Sequence, residues 1–134
     1  MLKKGLCFLL MLPVSALAQS PNPDAGKDLF RTYCWQCHGE NATGGGPMAE
    51  MIAVSTPDLT QLSARNEGVF PSFSVAEQID GRAPLLAHGG VMPIFGPALE
   101  SVQSVAIPTE NGQPMIVSLP LADLLTYLEA IRVE

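Results

Sequence analysis

Cys34-Trp35-Gln36-Cys37-His38 places two thiols and an imidazole within five residues. On a helix, positions i, i+3 and i+4 share a face, so all three side chains can meet a single planar ligand. The C-x-x-C-H spacing is the signature of covalent haem attachment: two thioethers to the vinyl groups, with the adjacent His reaching iron from the same side. Other chemistries use the same residue types. A structural zinc site needs four ligands, with His88 as the available fourth. A thioredoxin-like C-x-x-C belongs near a βαβ pattern, whereas this one follows a helical pattern. A disulfide between residues three apart closes a very small loop and stabilises little. Haem attachment is the reading that the full motif favours.

A six-coordinate haem of this type takes a second axial donor, usually Met or His. Past the motif the chain offers Met48, Met51, Met92, Met115 and His88. Met92 lies in His88-Gly89-Gly90-Val91-Met92-Pro93-Ile94-Phe95-Gly96, a stretch without helical period that concentrates apolar residues. Glycines there allow close backbone approach, and Pro93 restricts the turn after the candidate ligand. Met92 is therefore the favoured donor. His88 reads as a hydrogen-bonding loop residue, and Met48, Met51 and Met115 as core filler.

These groups need elements to hold them. Asn22 followed by Pro23 starts a helix that runs through Leu29, Phe30 and Tyr33 into the motif. Gly44-Gly45-Gly46-Pro47 then breaks it. A short helix starts at Thr56 or Asp58 and carries Leu59 and Leu62. Ser74-Val75-Ala76-Glu77 fits a capping box, predicting a helix over about 75–80 that stops at Gly81. Residues 81–100 read as loop. Val102–Ile107 and Met115–Val117 flank Asn111-Gly112, a hairpin signal limited by Pro108 and Pro114. Leu121, Leu124, Leu125, Leu128 and Ile131 repeat on one face of a final helix.

Composition narrows the setting. Lys3 and Lys4, the apolar run Leu6–Leu12 and Ala16-Leu17-Ala18 have the layout of a secretory signal peptide cleaved after Ala18. The run is shorter than the roughly 20 residues that span a bilayer. The expected mature chain, residues 19–134, is one domain without a transmembrane segment, located in the periplasm. Of the three cysteines, Cys7 leaves with the leader. Losing Lys3 and Lys4 from seven basic residues leaves five against thirteen acidic ones, so the formal charge moves from −6 to −8. That balance argues against nucleic acid as a partner, which requires a basic face.

With these residues in place, the chain resembles the bacterial class I monohaem c-type cytochromes. Gly26 and Phe30 match that family's first helix. Cys34, Cys37, His38 and Gly39 match its C-x-x-C-H-G motif, Met92 and Pro93 its ligand loop, and Leu124, Tyr127 and Leu128 its last helix. The resemblance implies a small all-α cytochrome c fold, with N- and C-terminal helices packed across each other around one covalently bound haem c. A short hairpin near 101–117 is expected besides. It assigns haem attachment to Cys34 and Cys37, and iron ligation to His38 and Met92. It also implies a periplasmic one-electron carrier with redox protein partners and no enzymatic activity. A dedicated subunit of a periplasmic oxidoreductase complex, or a haem-based redox or gas sensor, are alternatives. The stretch from about 99 to 118 departs from the plainest members and reads as an insertion before the final helix.

Overall fold

The first helix, α1 (Pro23–Tyr33), begins where local chemistry places it. Asn22 has an extended backbone, its side chain accepts the Asp24 N–H, and Pro23 occupies the first turn. The computed structural model describes residues 19–53, 55–82 and 92–133. Within them the chain is mostly helical, with one two-stranded sheet. After α1 come a single-turn helix α2 (Trp35–His38), α3 (Pro47–Met51), two 3-10 turns at Leu59–Gln61 and Ala64–Asn66, and α4 (Ser72–Asp80). A further 3-10 turn at Gly96–Leu99 leads to β1 (Ser104–Ile107), β2 (Met115–Ser118) and α5 (Leu119–Ala130).

The core is organised by α1 lying against α5. Phe30, Leu124 and Leu99 are the largest fully buried side chains, and Phe30 meets Tyr127 with ring centroids 5.5 Å apart. The close approach depends on Gly26. A Cβ there would meet the Asp123 carbonyl, lying 2.5 Å from its carbon and 2.8 Å from Tyr127 Cβ. Asp123, buried on the same helix, accepts the Asn22 N–H at 2.7 Å and ties the start of α1 to α5. The leucines at 121, 124, 125 and 128 are all buried, as their spacing predicts.

β1 and β2 form an antiparallel hairpin that pairs Val105 with Val117 and Ile107 with Met115. Alternation sends those four side chains toward the core, while Ala106 and Ile116 face outward. Gly112, at φ +73°, allows the turn near the tip.

Several local expectations need correction. The first helix does not run straight into the motif, because Cys34 interrupts it and serves as the cap of α2. Residues 47–51 form a helix that no strong period announces. Ser74 is not the cap of α4; the helix opens at Ser72, three residues before the expected start. Met51, expected in the core, is 80 % exposed. His88, with the rest of 83–91, and the leader at 1–18 lie outside the described residues.

Candidate functional site

The motif is held as one helical turn with its carbonyls gathered in. His38 N–H donates to Cys34 O at 2.9 Å, and Gly39 N–H to Trp35 O at 2.7 Å. The glycine loop then folds back: Gly44 N–H reaches His38 O at 2.8 Å and Gly46 N–H reaches Cys37 O at 3.0 Å. Thr56 secures this loop by donating its hydroxyl to Cys37 O at 2.9 Å and accepting Gly45 N–H at 3.0 Å. Glycine is required where backbone meets backbone. A Cβ at Gly46 would sit 2.7 Å from Trp35 O, and Gly39 combines φ +75° with a Cβ position 2.7 Å from Gly44 O.

Cys34 and Cys37 are both half-buried and are not joined to each other by a disulfide. Burial pushes the Cys34 thiol up to about 11, with the neighbouring Cys37 adding to the effect. His38 is buried, and desolvation lowers its pKa below 6.5, opposed by the Pro57 backbone. Its Nδ1 has no partner of hydrogen-bond geometry. Among the described residues no cluster of three His, Cys, Asp or Glu side chains converges as an ion site requires, so zinc chemistry finds no support there.

Two cysteines and a buried imidazole on one turn fit haem attachment. The segment that carries Met92, the donor favoured by the sequence, packs against the same core. Met92 is half-buried against the core, as are Cys34 and Trp35. Its sulfur accepts from Gln78 Nε2 on α4 at 3.8 Å. Phe95 N–H donates to Ile79 O at 2.8 Å, and the Phe95 ring lies 6.0 Å from Tyr33 at the end of α1. Thr56, Pro57 and Gln78 therefore belong to the site. Sequence marked Thr56 only as a helix start and singled out neither Pro57 nor Gln78. Arg82, beyond the end of α4, pairs with Asp80.

A family model for cytochrome c matches residues 23–98, a span that holds both the C-x-x-C-H turn and Met92. The chain belongs to the cytochrome c family. Neither the search of curated proteins nor that of solved structures returned a match. Membership brings a covalently bound c-type haem with its iron, haem-based electron transfer as the general function, and redox partners. The family typically carries electrons and does not catalyse reactions. No helix among the described residues is long and apolar enough to cross a membrane.

Proposed function

We propose that this chain is a periplasmic one-electron carrier of the bacterial class I monohaem kind. Cys34 and Cys37 anchor one haem through two thioethers, and His38 and Met92 are its axial ligands. The observation that carries this reading is the single helical turn that sets the buried His38 beside two half-buried cysteines, inside the stretch that the cytochrome c family model matches. When bound, the haem supplies a one-electron Fe(III)/Fe(II) couple. The protein holds the ligands still. The hydrogen bonds of Gly44, Gly46 and Thr56 fix the turn that presents His38, and Gln78 and Ile79 fix the segment that presents Met92. With both axial positions filled by side chains, no coordination site remains for a substrate, which suits a carrier and not an enzyme.

The leader-like residues 1–18 support export, and covalent haem attachment takes place outside the bacterial cytoplasm. The mature domain is then 19–134. Mass spectrometry of the exported protein should give a chain starting at Gln19 plus one haem. Oxidised and reduced visible spectra test the ligands. A c-type α band is expected together with a weak long-wavelength sulfur-to-iron band, and Met92→Ala abolishes the weak band while leaving the α band. Survival of the weak band would assign another sulfur. Ready binding of carbon monoxide by the reduced protein at neutral pH would turn the assignment toward a sensor.

One observation favours a dedicated complex subunit as a second reading. On the hairpin insertion, Val102 and Ile116 are apolar and exposed, Ile116 at 72 %. Size-exclusion of the native protein separates the two, since a permanent complex excludes a free shuttle.

A further inference from the structure

Helix α4 starts without a cap of its own. Its first residue follows Pro71, whose side chain accepts no hydrogen bond, so the first-turn N–H groups need an acceptor from elsewhere. Glu110 supplies one from the tip of the hairpin. Its Oε2 accepts Phe73 N–H at 2.9 Å, and its Oε1 accepts Ser74 N–H at 3.4 Å and the Ser74 hydroxyl at 3.5 Å. Phe73 and Ser74 are the second and third helical residues, the two that a capping side chain normally serves. A carboxylate at this end also complements the helix dipole.

The other end of α4 holds the ligand segment. Gln78 meets the Met92 sulfur, Ile79 O accepts Phe95 N–H, and Gly96 lies so close to Asp80 that a Cβ would be 2.6 Å from the Asp80 carbonyl oxygen. A nine-residue helix is about 13 Å long and too short to be stable alone. Contacts at its two ends are therefore mechanically linked. The hairpin itself is braced: Thr109 Oγ1 donates to Gln113 O at 2.6 Å across the tip, and Ser118 Oγ donates to Leu99 O at 2.7 Å at the base.

We propose that Glu110 is a positioning residue for Met92: the inserted hairpin caps α4 from outside and so holds Gln78 against the ligand sulfur. The insertion is then part of the redox centre's support. Methionine sulfur has a lone pair to spare beyond the one given to iron. An amide donor held against it alters how much density the iron receives, as outer-shell partners of metal ligands do. The proposal rests on Met92 being the axial ligand.

The test compares wild-type holoprotein with Glu110→Gln, Gln78→Ala, the double variant and Met92→Ala. In Glu110→Gln, amide exchange at Phe73 and Ser74 should accelerate roughly tenfold. The sulfur-to-iron band should vanish on warming about 5 °C earlier than in wild type, with a smaller shift in global helix unfolding. The reduction potential should move toward that of Gln78→Ala, and adding Glu110→Gln to Gln78→Ala should move it no further. Equal shifts in band loss and global unfolding, or a potential change of the same size with and without Gln78, would overturn the proposal. A band that survives Met92→Ala refutes the ligand assignment. A band that Met92→Ala abolishes and Glu110→Gln leaves untouched refutes the clamp alone.

Discussion

Replacing Gly26 by Ala adds one methyl group at the place where α1 and α5 touch. That methyl carbon would lie 2.5 Å from the Asp123 carbonyl carbon and 2.8 Å from Tyr127 Cβ. Ordinary carbon contact is about 3.5–4.0 Å, so the two helices must part by roughly 1 Å. Neither atom belongs to the mobile end of a side chain, so local repacking cannot absorb the clash. Overpacking of this kind costs about 1–3 kcal/mol. A gap of that width also forfeits a quarter or more of the dispersion contact around Phe30 and Leu124, about 1 kcal/mol in all. Ala regains up to about 1 kcal/mol over Gly in helix propensity. The expected net loss is about 2–3 kcal/mol. At an unfolding entropy near 2.1 cal/mol/K per residue, this lowers the melting temperature of residues 19–134 by about 10 °C. Far-UV circular dichroism of the holoprotein reads the change. Lys27→Ala, on the exposed side of the same helix, should stay within about 0.5 kcal/mol of wild type. A Gly26→Ala protein melting within 2 °C of wild type, roughly the error of such a scan, would refute the contact.

Thr56→Val keeps the side chain's shape but removes the hydroxyl that bridges Cys37 O and Gly45 N–H; a loss of about 1–2 kcal/mol is expected, with faster amide exchange at Gly45. Tyr127 should ionise above pH 10, because burial raises its pKa while the charge of Arg31 works to lower it. Spectrophotometric titration in a Tyr33→Phe background isolates it, and Arg31→Gln should push the phenol further up. Since the folded pKa exceeds the unfolded one, Tyr127's contribution to stability is complete below pH 10 and fades as pH climbs through the folded value. A titration at or below pH 10 would contradict its burial.

Some of this molecule is local chemistry and was legible from composition and spacing. Asn22 and Pro23 start α1 because a side-chain acceptor and a missing N–H both suit a helix's first turn. The 3–4 leucine spacing produces the buried face of α5, and Asn111-Gly112 marks the hairpin because glycine tolerates the turn's positive φ. The thiols and imidazole of the motif share a turn for the same kind of reason, since i, i+3 and i+4 coincide on any helix.

Other features depend on residues far apart in the chain, and no window of sequence contains them. Ser74 has the local pattern of a cap, yet Glu110 performs that service from 36 residues away, and the helix opens three residues early. Met51 has the chemistry of a core residue and is exposed, because core membership depends on which face of α3 the rest of the fold covers. Gln78 has no signal of its own and gains a role only because α4 is laid beside Met92. Residue type and near spacing are enough to propose which groups do the chemistry, because both are read along the chain. The tertiary structure decided how they are held, because caps, glycine contacts and second partners arise only when distant segments meet.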